Sequence, residues 1–263
     1  MAEDEKKLSI ALPGEWALQK VLGPTLTEIG TDLQRLYAKG RDRIIAKAYR
    51  KIPNPEDGKQ ANLRVTRDAL WSGAFADDEV CAEYFGGVLA SSRSQDGKDD
   101  AAIQFVDVIK SLSSKQLRLH YIIYNALNKL LVRSSKRVNV AQGTEIEAQQ
   151  VWFSAIELLA ELQLSIDTDL NVLHRQGLLH RYRTDVHNEA QRVIPYASAN
   201  PTTFGVLLYS AAHARLPEWR AFDREDFGDF SDIRMPAVYA STLAELADKA
   251  GFAVAPPPSK KEK

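Results

Sequence analysis

The sequence predicts a mostly α protein, an N-terminal helical bundle followed by a winged-helix-like helical module with at most a small β-hairpin. Three observations lead there. Apolar residues return every three or four positions through most of the 263 residues, the spacing that lines one face of a helix. A central stretch, residues 76–92, opens on Asp77, Asp78 and Glu79 and continues with Val80, Cys81, Tyr84, Phe85, Val88 and Leu89 on one face. Acidic residues in a first turn face the positive end of the helix dipole, and either aspartate can cap it. Strand-like sequence is confined to residues 192–197, within a polar stretch. Gly86 and Gly87 fall inside the central helix, each costing about 1 kcal/mol against alanine. Their presence predicts a neighbouring segment packed close.

Composition narrows the function classes. Hydrophobic residues make up 44% and charged residues 26%, the globular range. The formal charge is -1, so any binding to nucleic acid or membrane must come from a local patch. The one cysteine, Cys81, allows no intrachain disulfide and reads as a small core residue. The N-terminus has mixed charge and no apolar run behind it, unlike a signal peptide. No stretch approaches the ~20 apolar residues a spanning helix needs. The expected location is the cytoplasm.

Five regions follow in order: a disordered N-terminus (1–14), the helical bundle (15–112), the winged-helix-like module (113–213), an irregular segment with a short helix (214–255) and a disordered tail (256–263). The two large regions are expected to share a core. Leu18, Leu22, Leu26, Ile29, Leu33 and Leu36 line one face of a first helix, interrupted at Gly23-Pro24. That face suits packing in a bundle or, alternatively, lying on a membrane surface. A basic helix covers 39–51, and turn residues fill 53–58. Helices are expected at 62–72, 101–112 and 115–132, with Ser113 capping the last. Another is expected at 145–162, carrying Val151, Trp152, Ile156, Leu158 and Leu162. The next begins near Asp167 or Thr168, buries Leu170 and Leu173, and ends at Gly177 in the left-handed position. A helix over 202–212, coil over 216–236 and a helix over 237–250 complete the chain.

Two sets of cations are candidate nucleic-acid contacts. Arg41, Arg43 and Lys47 lie on the basic helix, which otherwise reads as a solvated helix face. Arg175, Arg181, Arg183 and Arg192 follow the helix near 167–176, which would enter a major groove if the module bound DNA. Asp167 and Asp169 at its N-terminus oppose that use, and the bland alternative is a packing module with a solvated wing. His174, His180 and His187 match no zinc spacing and lack cysteine partners. No phosphate loop, nucleophile elbow or His-Glu-x-x-His motif is present, so no catalytic residue, metal or cofactor is expected.

Three segments together resemble the abortive-infection alpha family. They are 22–30 with the basic helix at 38–51, then 73–90 followed by 105–113, then 169–179 paired with 201–209. The likeness covers roughly residues 18–213. Where family members carry a tryptophan-like residue, then asparagine and two leucines, this chain has Tyr84, Phe85, Gly86, Gly87, Val88 and Leu89. The resemblance implies a role in bacterial defence against phage and carries over no activity and no catalytic residue. The expected protein is non-enzymatic and acts through an unidentified protein partner, with self-association also open. The alternatives are a nucleic-acid-binding regulator and a membrane-active toxin.

Overall fold

The computed structural model describes residues 26–76, 78–135, 137–189 and 192–250, without the side chains of 26–33, 161, 189 and 192. The expected short helix before Pro24, Leu18 and Leu22 of its apolar face, the N-terminus and the tail at 256–263 lie outside those residues.

The bundle begins with α1 (Leu26–Arg50), which joins the expected first helix and the basic helix into one. After a loop come β1 (Gln60–Ala61) and α2 (Leu63–Gly73). Asn62 caps α2 by accepting from the amides of Arg64 and Val65. Next stand α3 (Glu79–Ser91), β2 (Arg93–Ser94) and α4 (Ile103–Lys110). β1 and β2 pair through two residues each. Of the two candidate caps on α3, Asp78 does the work, its carboxylate accepting from the Val80 amide.

The centre of the molecule is α3. Every residue from Val80 to Leu89 is buried, as expected for a helix surrounded on all sides. α1, α2, α4 and the later helices pack around it. The two glycines explain how they approach. A methyl group on Gly86 would sit 2.8 Å from the Lys47 Cβ of α1, and one on Gly87 would sit 1.9 Å from the Ala212 carbonyl oxygen. Cys81 is buried in this helix, and burial pushes its thiol pKa up, against a Ser114 hydroxyl contact of 3.4 Å.

The second half starts with α5 (Ser114–Ser134), closed at its N-terminus by a reciprocal capping box between Ser113 and Gln116. The expected helix over 145–162 does not form. Its place is taken by α6 (Gly143–Glu147), β3 (Val151–Ser154) and one π turn (Glu157–Glu161). Val151 and Phe153 point into the core while Trp152 turns to the other face. The β-branched and aromatic residues pair as a strand because partner strands lie on both sides.

α7 (Ile166–Arg175) follows. Its cap is neither Asp167 nor Thr168. Ser165 occupies the position, and Asp169, buried, accepts from the Ser165 amide. Leu170 and Leu173 are buried, and Gly177 has φ +71°, the left-handed conformation that ends the helix. β4 (Leu179–Glu189) and β5 (Arg192–Pro201) then form a hairpin far longer than the expected strand at 192–197. α8 (Thr203–Ala212), a 3-10 turn (Leu216–Ala221), β6 (Tyr239–Ala240) and α9 (Leu243–Ala250) complete the chain. The last helix is shorter than expected because β6 pairs with β3 first. The sheet is antiparallel with strand order β4-β5-β3-β6.

One buried apolar cluster runs from Ile44 in α1 to Ile233. The coil between the 3-10 turn and β6 belongs to it through Phe222, Phe227, Phe230 and Ile233. This strap is held by the polar face of α5. Asn128 donates to the carbonyls of Phe222 and Glu225 and accepts from the Phe227 amide. Asn125 reaches the Gly228 carbonyl, and Lys129 pairs with Asp229 at 2.5 Å. Phe230 stacks between Tyr121 at 4.5 Å and His213 at 4.3 Å. Among the described residues, no helix is long and apolar enough to cross a membrane.

Candidate functional site

The basic helix turns inward. Arg43 and Lys47 on α1 and Lys51 just past its end are spaced four apart and meet Glu79 and Glu83, spaced four apart on α3. Lys47 is 3% exposed, and its ammonium lies 2.9 Å from Glu79, 2.7 Å from Glu83 and 2.6 Å from Asp232 on the strap. Burial alone would lower its pKa, but the hydrogen bonds it donates to Asp232, Glu79 and Glu83 outweigh it and raise the value above the ordinary one. Lys51 bonds to Glu83 at 2.5 Å and to the carbonyls of Glu83 and Ala212, and burial pulls its pKa down to about 8. Arg43 donates to the Ala76 carbonyl and lies 3.5 Å from Glu79, while Arg41 pairs with its neighbour Asp42 at 2.7 Å. These cations fasten α1 to α3 and to the strap. The matched four-residue spacings were the sequence signal for this ladder.

Beside it lies a cavity of about 230 Å³ bordered by Lys51, His213, Asp229 and Phe230. Two histidines are enclosed in this region. His120 Nδ1 and the Tyr84 hydroxyl share a hydrogen bond of 2.5 Å, and Nε2 has no hydrogen-bond partner among the described residues. Burial lowers its pKa to about 3. Burial and then the Lys51 charge lower His213 to about 3 as well. Neither histidine stood out in the sequence, because apolar neighbours on three elements make the enclosure.

The hairpin gathers a different set. Of the two carboxylates that oppose DNA contact at the start of α7, Asp169 is buried and Asp167 accepts from the Thr184 hydroxyl. Arg175 is exposed on the last turn of α7. Arg181 and Arg183 lie on β4 at a pocket of about 570 Å³ shared with α6 and β5. Arg183 pairs with Asp185 at 2.5 Å; Arg181 has no carboxylate partner among the described residues. The Arg192 side chain lies outside the description. The structure thus brings Arg181 and Arg183 together and leaves Arg41, Arg43 and Lys47 on the opposite half of the fold's order. His174 sits edge-on to Tyr182, and His180 approaches Glu147 at 3.4 Å. Among the described residues, no group of three or more His, Cys, Asp or Glu side chains is placed to hold a metal ion.

The third feature is apolar and open. Tyr37, Trp71 and Phe75 form a ring cluster with centroids 5.9 to 6.1 Å apart on α1 and the end of α2. Trp71 is 63% exposed and Phe75 48%. An apolar groove of about 270 Å³ lies between the same helices, floored by Ala48, Leu70 and Leu89 and edged by Ile45 and Tyr49. Clustered exposed aromatics of this kind mark interaction surfaces.

An all-round buried helix, a polar pocket at the sheet and an exposed aromatic cluster are the features of this mostly helical fold. Residues 32–211 match the family model described as abortive infection alpha, and the chain belongs to that family. No curated protein and no solved structure matches it.

Proposed function

We propose that the protein defends a bacterial cell against phage by binding a protein partner in the cytoplasm, without catalysis of its own. Family membership supports the defence role. The observation that supports binding is the open Tyr37, Trp71 and Phe75 cluster beside the apolar groove. Aromatic side chains supply large contact area at low entropy cost and dominate many interfaces. The test is efficiency of plating for a broad phage panel on cells expressing the chain, with survival of infected cells counted in parallel. Protection accompanied by death of infected cells is expected. The double variant Trp71→Ala with Phe75→Ala should fold, since the two residues are 63% and 48% exposed, yet lose protection. Unchanged plating across the panel would end the defence reading, and full protection by the double variant would end the aromatic cluster's part in it.

A second reading is a nucleic-acid-binding, winged-helix-like regulator. It is supported by the order α5, α6, β3, the π turn, α7, β4 and β5 and by the packing of α7 against the β4–β5 hairpin. Arg175 would then contact phosphate. Binding to duplex DNA that weakens with salt and with Arg175→Gln would support it, and no binding at low salt would remove it.

A further inference from the structure

We propose that the pocket between β4, β5 and α6 is a binding site for a nucleoside phosphate whose base carries an exocyclic amine. This goes beyond the defence reading and stands independently of the aromatic groove.

A break in strand geometry lies at the edge of the pocket. Successive residues of a regular strand point to opposite faces. Here the β4–β5 register shifts between Leu179 and Arg181, so that His180 is the extra residue. Bulges of this kind re-aim side chains. With His180 as the bulged residue, Arg181 and Arg183 follow on one face of β4, and His180, Arg181, Tyr182 and Arg183 border one cavity. Its volume of about 570 Å³ falls within the range of small-molecule sites.

The walls are fixed from behind by the protein. The Asn200 side-chain amide donates to the carbonyls of Glu147 at 3.0 Å and Gln149 at 2.9 Å. Gln150 donates to the Ser198 hydroxyl at 3.2 Å. The Tyr182 hydroxyl accepts from Asn171. His180 Nδ1 lies 3.4 Å from the Glu147 carboxylate. A pocket ordered before its ligand arrives spares part of the entropy cost of binding.

What these groups have left determines the ligand. The Arg181 guanidinium is exposed and has no carboxylate partner among the described residues, and Arg183 stands two residues along the same strand. Forked guanidiniums match the oxygens of a phosphate. Both N–H groups of the Asn200 amide are directed into the protein, which leaves its oxygen as an acceptor, and Gln150 has spent one of its two N–H groups on Ser198 and keeps its oxygen. The Glu147 carboxylate is also an acceptor. Cations next to several acceptors suit a molecule that is anionic at one end and rich in N–H donors at the other. Adenine, guanine and cytosine nucleotides meet that description. Uracil nucleotides and bare phosphate lack the amine.

The nucleoside phosphate could be free or part of a single strand, and the experiment separates the two. The full chain is titrated calorimetrically with AMP, GMP, CMP, UMP, inorganic phosphate and a short single-stranded oligoadenylate. Saturable binding of AMP, GMP or CMP is expected, at least tenfold tighter than UMP or phosphate. Arg181→Gln, at an exposed position, should weaken it by about 10- to 100-fold, the worth of a hydrogen bond to a charged group. Arg67→Gln, exposed on α2 and outside the pocket, should leave it unchanged. Glu147→Gln should narrow the preference for AMP over UMP. Oligoadenylate binding tighter than AMP, and still dependent on Arg181, assigns the site to a strand; equal binding assigns it to the free nucleotide. Equal affinity for phosphate and AMP, wild-type binding by a folded Arg181→Gln protein, or no binding at millimolar ligand would each overturn the proposal.

Discussion

Acidification from pH 7 to pH 5 is expected to remove up to about 4 kcal/mol of stability through two enclosed histidines, His120 and His213. Both have folded-state pKa values lowered to about 3. In the unfolded chain imidazole titrates near 6.5. Between those values the unfolded state binds more protons, so stability is fully present above pH 6.5 and declines as the pH falls toward 3. Each histidine accounts for about 2 kcal/mol by pH 5, at about 1.4 kcal/mol per pH unit. His213 keeps part of its ring at a cavity mouth, where water screens it, so His120 carries the fuller share. For a chain of this size the melting temperature should drop by roughly 8–16 °C. The assay is urea unfolding followed by circular dichroism at pH 7, 6 and 5, in the wild type and in His120→Gln. Glutamine keeps an acceptor for the Tyr84 hydroxyl and cannot titrate. The variant starts less stable, but its loss between pH 7 and 5 should be about half that of the wild type. Exposed carboxylates titrate mostly below this window. A wild type with flat stability from pH 7 to 5, or an unchanged slope in His120→Gln, would refute the reasoning.

Two further substitutions test the packing around α3. Gly87→Ala would gain about 1 kcal/mol of helix propensity. It would also drive a methyl group to 1.9 Å from the Ala212 carbonyl oxygen, and since overpacking costs about 1–3 kcal/mol or more, net destabilisation is expected by chemical denaturation. A Gly87→Ala protein more stable than the wild type would show that α3 and α8 do not approach so closely. Glu83→Ala removes a carboxylate shared by Lys47 and Lys51 and should cost about 3–5 kcal/mol, because buried charge is left short of partners. An effect below about 1 kcal/mol, the range of an exposed pair, would place the ladder in solvent.

Local signals were legible in the sequence. Asp78 caps α3, Ser113 and Gln116 box the start of α5, and Gly177 turns left-handed after α7, because each depends on residues within a few positions. The close approach at Gly86 and Gly87 was also readable, though not which helices approach. The sheet was not. Leu158 and Leu162 fit a helical period with Val151 and Trp152, and only pairing with β5, more than forty residues away, makes a strand of Val151–Ser154. β4 looked like loop because one of its faces carries Arg181, Arg183 and Asp185 to solvent. The candidate cations divided for a similar reason. A run of lysine and arginine has the same composition whether it faces water or the acids of α3. The pocket at Arg181 lies beside a register shift for which the residues give no local sign.

The strap has a bearing on how the protein comes to be folded in the cell. The family match ends at residue 211, yet Phe222, Phe227, Phe230 and Ile233 complete the core, and Asn125 and Asn128 find their partners there. A chain growing on the ribosome makes α5 about a hundred residues before the strap that fastens it. Until the strap emerges, the polar side of α5 and the aromatic rings of Tyr121 and Tyr209 stay open to water and to chaperones. Final closure therefore waits until nearly all of the described chain has been translated, and a chain cut at the family boundary is left permanently at that unfinished stage.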